Sequence, residues 1–131
     1  MPMDEQDIVK YRGLYLQTAR SYLIDMQRNV VLLANDPERK DSLEIVHLSA
    51  HSLASQSLMM GYNSIAAYSS LVEKIAKAKQ EGTFSWSKDL LLLIDAEITR
   101  VHASLNEIDK TGKEIDLSAE INQLQETVKL P

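Results

Sequence analysis

Sparse helix breakers divide this chain into five segments in which apolar residues recur with helical periodicity. Gly61, Gly82 and Gly112, together with Pro37, fall between those segments, where glycine and proline commonly end or begin helices. No window shows the strict alternation of apolar and polar residues that is typical of a half-buried strand. The sequence therefore predicts an all-α protein. Its helices are expected at about 4–34, 37–60, 63–82, 88–108 and 118–128.

The lengths of the connections predict the architecture. Because the connections between the first four helices are short, neighbouring helices should pack antiparallel. A chain of 131 residues fits one domain. We predict an up-and-down four-helix bundle over residues 1–110, followed by a more polar segment, 111–131, that forms an additional C-terminal helix or a linker.

Two helix caps and part of the core can also be predicted. Asp36, directly before Pro37, is expected to cap the N-terminus of the second helix, and Asn63 that of the third. Ile8 and Tyr11 share helical spacing with the apolar residues that follow them in the first helix. We therefore expect both side chains to point into the core.

Composition excludes several classes of function. The 14 basic and 19 acidic residues give a net charge of -5, and no basic cluster suggests a nucleic-acid partner. The absence of cysteine excludes disulfides, a thiolate nucleophile and a cysteine zinc site. The N-terminus is acidic, unlike a signal peptide, and no apolar run reaches the roughly 18 residues that span a bilayer. We expect a cytoplasmic protein without a membrane partner.

His51 is the first candidate functional residue. It lies in the stretch 45–72, which contains no Asp, Glu, Lys or Arg although 25% of the chain is charged. On a helical projection His51 falls at the margin of the inward-facing stripe. The residues of that stripe are Leu43, Val46, Ala50, Leu53 and Ser57. A histidine at such a margin is most often a packing residue, but it is also available to a partner.

Glu73 is expected to face His51. Both residues lie eleven positions from Tyr62, the centre of the predicted turn, so antiparallel helices would bring them to the same height. A carboxylate beside one imidazole nitrogen fixes the tautomer and leaves the other nitrogen as a nucleophile. His47 and His51 also have the H-x-x-x-H spacing of some zinc sites. Because no third ligand is evident, we predict no metal site.

Residues 50–75, AHSLASQSLMMGYNSIAAYSSLVEKI, resemble the histidine phosphotransfer (Hpt) domain. The likeness is greatest to the N-terminal phosphotransfer module of chemotaxis histidine kinases of the CheA type. The features shared are Ala50-His51, Gly61-Tyr62 and the helix that carries Glu73. Residues 11–47 are similar to the first helix of that family and the approach to its histidine, and 82–105 to its loop and fourth helix.

This resemblance implies a phosphorelay. His51 would accept a phosphoryl group and pass it to an aspartate of a response-regulator receiver domain, with Glu73 orienting the imidazole. The other expected partner is a histidine kinase catalytic domain. No cofactor is expected in this chain, since Mg²⁺ would be held by the partner. The chain has no ATP-binding glycine-rich motif, so we expect a phosphocarrier without kinase activity of its own.

Three positions depart from the family pattern. Ala54 replaces its lysine, Ser55 its following glycine and Leu48 its frequent arginine. A lost charge-assisted contact of about 1.5–3 kcal/mol would slow transfer roughly 10- to 100-fold. The alternative is a degenerate Hpt fold that binds a response regulator or kinase without carrying phosphate. In either case the expected docking residues are Leu48, Ser52, Ala54, Ser55 and Met59.

Overall fold

A computed structural model describes residues 4–129, and within that range the chain forms helices and no strand. The all-α prediction is therefore confirmed. The five helices are α1 (Glu5–Asn35), α2 (Lys40–Met59), α3 (Asn63–Gln80), α4 (Lys88–Thr111) and α5 (Ser118–Val128).

The first four helices form an antiparallel bundle. α1 packs against α2 and α4, and α2 packs against α1 and α3. Pairs of contacting residues run in opposite order along neighbouring helices: Arg20 of α1 bonds Asn106 of α4, whereas Gln27 bonds Asp95. α5 lies against both α3 and α4. It therefore covers the seam between α3 and α4, on the side of the bundle opposite the contact between α1 and α2.

One core fills the space between these helices. Its fully buried large side chains come from all of the first four helices and include Leu23, Leu53, Tyr68 and Leu91. Leu117, Leu124 and Val128, which follow α4 in the chain, belong to the same cluster. The segment after residue 110, predicted as a helix or linker, thus contains α5 and packs onto the bundle.

The predicted start of α2 is wrong. The structure begins this helix at Lys40 instead of Pro37, and Asp36 stands at the C-terminus of α1, where its N–H donates to Leu32 O. Arg39 N–H donates to Asp36 O, and the Asp36 side chain accepts from Glu38 N–H. These bonds form a separate turn between α1 and α2. The fixed φ of proline suits such a turn as well as it suits the first turn of a helix.

The predicted cap of α3 is also wrong. Asn63 is the first residue of the helix, and Tyr62, at the capping position, makes no side-chain capping bond. The carboxylate of Glu114 takes that role: Oε1 accepts from Ile65 N–H at 2.9 Å and Oε2 from Ser64 N–H at 3.2 Å. A negative charge at a helix N-terminus also interacts favourably with the helix dipole.

The spacing of Ile8 and Tyr11 predicted that both enter the core, and this prediction is wrong. Their side chains are 39% and 48% exposed. The reason is that α1 is longer than the helix beside it. Tyr15 of α1 bonds Ser57, near the C-terminus of α2, so the first two turns of α1 extend beyond the end of α2. Periodicity identifies the apolar face of a helix, but the partner helix must reach that far for the face to be buried.

Candidate functional site

His51 and Glu73 meet on the outside of the groove between α2 and α3. His51 Nδ1 lies 2.7 Å from Glu73 Oε2, a short hydrogen bond between residues 22 positions apart. Gly61, with a φ of +82°, permits the sharp turn that sets the two helices antiparallel. The structure thus brings together the two residues that were predicted to share one height.

The imidazole is open to solvent on its other side. The side chain of His51 is 63% exposed, whereas that of Glu73 is 22% exposed. A carboxylate only accepts hydrogen bonds, so in the neutral imidazole the proton lies on Nδ1 and the lone pair on Nε2. Among residues 4–129, none forms a hydrogen bond with Nε2. An available Nε2 beside a fixed Nδ1–H is suited to nucleophilic attack on an electrophile from solution.

A shallow cleft of about 390 Å³ adjoins the imidazole and continues toward the turn between α2 and α3. Glu73 is the one charged side chain among those that line it, and no Lys or Arg contributes. The other lining residues are small, polar or apolar. They are His51, Ala54, Ser55, Leu58, Asn63, Ala66, Ala67 and Ser70.

The predicted docking residues divide into two groups. Ala54 and Ser55 line the cleft next to His51. Leu48 and Met59, 53% and 87% exposed, and the partly buried Ser52 follow the outward surface of α2. All five therefore lie on one helix, but only the first two border the cleft.

Several cleft residues on α3 were not selected from the sequence. Ser70 and Ala66 lie three and seven positions before Glu73, and Asn63 lies at the start of the helix. Spacings of three and seven put residues on the same face as Glu73. Their spacing from Glu73 is the signal that the sequence offers for these residues. Small and neutral side chains carry no chemical feature that distinguishes a cleft residue from any other surface residue.

The other two histidines have different surroundings. His47, one turn before His51, is partly buried. His102 Nε2 lies 3.2 Å from Gln27 Oε1 in the interface of α1 and α4, and burial lowers the pKa of His102, with a further effect from the Arg20 charge. Within residues 4–129, no group of three or more His, Cys, Asp or Glu side chains is arranged to hold a metal ion.

The chain was compared with protein-family models, with curated proteins and with solved structures, and none of the three comparisons finds a match. Of the helices in the described range, none is both long and apolar enough to cross a membrane.

Proposed function

We propose that this chain is a histidine phosphotransfer module, which accepts a phosphoryl group on His51 Nε2 and transfers it to an aspartate of a response-regulator receiver domain. The observation that carries the proposal is the bond of 2.7 Å between His51 Nδ1 and Glu73 Oε2, combined with 63% exposure of the imidazole side chain. A histidine kept only for packing needs neither feature.

The geometry supports a simple transfer step. The Nε2 lone pair attacks phosphorus, an N–P bond forms, and the bond from phosphorus to the donor oxygen breaks. Positive charge then develops on the imidazole ring, and the carboxylate of Glu73 stabilises it through Nδ1–H. In the forward transfer the carboxylate of a receiver aspartate attacks phosphorus, and His51 leaves with its lone pair restored.

The surface around His51 is suited to a protein partner. The uncharged stretch 45–72 lowers the cost of desolvating charged side chains on binding. Leu48 and Met59 offer exposed apolar contacts on α2, and methionine adapts well to partner surfaces. We propose that a receiver domain covers this face, with its aspartate approaching Nε2 from the cleft beside Ala54 and Ser55.

One observation favours a second function. No lysine or arginine lines the cleft, and Ala54 occupies the position where the Hpt family carries a lysine. A phosphoryl group on His51 would lack a cation of this chain to hold it. The same neutral face would then bind a response regulator or kinase without any phosphate transfer.

Chemical phosphorylation tests acceptor chemistry without a partner. The chain is incubated with potassium phosphoramidate, a small donor that phosphorylates histidine, and label that is acid-labile and base-stable is located by mass spectrometry. We expect one phosphohistidine, at His51. The chain contains three histidines, so His47→Gln and His102→Gln serve as matched controls that should retain the label. Label that survives His51→Gln would contradict the choice of acceptor.

Transfer is tested with receiver domains from the source organism. Phosphorylated chain should lose its label to a receiver in the presence of Mg²⁺, and Met59→Asp should weaken that reaction by disrupting the docking face. If a receiver binds the chain but His51 never carries phosphate, the binding-module alternative is correct.

A further inference from the structure

The seam that α5 covers contains a buried acid. Glu97 of α4 is 5% exposed and Tyr68 of α3 is fully buried. The Tyr68 hydroxyl donates a hydrogen bond of 3.0 Å to Glu97 Oε1. This contact accounts for one of the two carboxylate oxygens of Glu97.

The second oxygen has no donor. Glu97 Oε2 is buried and accepts no hydrogen bond from residues 4–129, and the same is true of Oε2 of Glu120 on α5. Glu120 of α5 lies against the part of α4 that carries Glu97, because its Oε1 is 3.4 Å from Nε of Arg100, one turn after Glu97. Two unpartnered carboxylate oxygens are therefore buried in one seam, one from the bundle and one from α5.

Two ionised carboxylates are unfavourable in such a place. Burial raises the pKa of Glu97 to about 7, and the charge of Glu120 acts in the same direction, although the Tyr68 hydrogen bond opposes them. Among residues 4–129, Tyr68 from α3 bonds Glu97, and Arg100 from α4 lies within salt-bridge distance of Glu120. Protonation gives one of the two carboxyls an O–H donor. The unpartnered oxygen of the other carboxylate can then accept a hydrogen bond from it.

We propose that Glu97 and Glu120 share one proton, that Glu97 Oε2–H donates it to Glu120 Oε2, and that this hydrogen bond fastens α5 to the bundle. When pH rises, the proton leaves for solvent, both carboxylates are ionised, and α5 docks less tightly. Leu124 and Val128 keep their apolar contacts, so the change is a local loosening of α5. The inference does not depend on phosphotransfer by His51.

The experiment follows the carboxyl group and the helix together in the full chain. The ¹³C shifts of the glutamate carboxyl groups give the titration of Glu97, and backbone amide exchange in α5, corrected for the intrinsic exchange rate, gives its protection. Glu97 should titrate near neutral pH, and protection at Leu124 should fall about tenfold or more between pH 5 and pH 8.

Amide variants separate the shared proton from burial alone. Glu97→Gln keeps an acceptor for Tyr68 and provides a permanent N–H donor for Glu120, so protection of α5 should become independent of pH. Glu120→Gln should lower the titration midpoint of Glu97, and Glu126→Gln, at an exposed position on α5, should change neither quantity. The proposal is wrong if Glu97 in the unmodified chain titrates below pH 5, or if protection of α5 is equal at both pH values.

Discussion

Glu73 accepts a hydrogen bond of 2.7 Å from His51 although the two residues belong to different helices, and their contact joins α2 to α3 at the surface. Since the side chain of His51 is largely exposed and that of Glu73 partly exposed, this contact adds little to stability. Its effect is on the imidazole, whose orientation and tautomer it fixes.

Removing that carboxylate should slow phosphorylation of His51 without unfolding the bundle. For Glu73→Ala we expect a rate about 10- to 100-fold lower, because a charge-assisted hydrogen bond to the developing imidazolium is lost. Glu73→Gln should lie between this variant and the unmodified chain. The initial rate of phosphohistidine formation is the measurement, and Glu81→Ala, an exposed carboxylate at the end of α3, is the control. Equal rates in all four proteins would show that Glu73 has no part in the reaction.

A lysine placed in the cleft should speed transfer. Ala54→Lys puts a cation one turn from His51, next to the expected position of the phosphoryl group, and we expect a gain of about 10-fold or more in transfer to a receiver domain. Ala96→Lys adds the same charge at an exposed site on α4 and should leave the rate unchanged. If both variants gain equally, net charge and not a local contact is responsible.

Glu114 should contribute to the stability of α3. Glu114→Ala leaves the Ser64 and Ile65 N–H groups without their carboxylate acceptor, at a cost of about 1–2 kcal/mol in the free energy of unfolding. Urea denaturation followed by the fluorescence of Trp86, the one tryptophan of the chain, measures the effect. Glu126→Ala, on the exposed side of α5, should change stability by less than about 0.5 kcal/mol.

Global stability should decrease as pH rises from about 4.5 to about 7. In this range folded Glu97, with its pKa raised from 4.5 to about 7, still holds a proton that the unfolded chain has lost, so folding is favoured by acid. The free energy of unfolding should fall by at most about 3 kcal/mol and then level off. Chemical denaturation at a series of pH values measures this, and Glu97→Gln should remove the slope. A slope that persists in this variant would assign the effect to other groups.

Local patterns were sufficient for some features and not for others. The spacing of apolar residues predicted five helices, and equal distances from Tyr62 paired His51 with Glu73, because both depend on helix geometry alone. The cap on α3 could not be predicted, since Glu114 is about 50 positions from Ser64. The exposure of Ile8 depends on where the neighbouring helix ends. Glu97 has the spacing of an inward residue, between Ile94 and Val101, but its charge argued against burial.

The dependence of α3 on Glu114 also bears on the order in which the chain becomes structured during synthesis. A nascent chain that ends before residue 114 contains the whole of α3, but the N-terminus of that helix has no carboxylate acceptor. Ser64 Oγ gains its donor, the Leu117 N–H, only slightly later. The first turn of the helix that carries Glu73 therefore gains these contacts only after α4 has been synthesised, although His51 is made early.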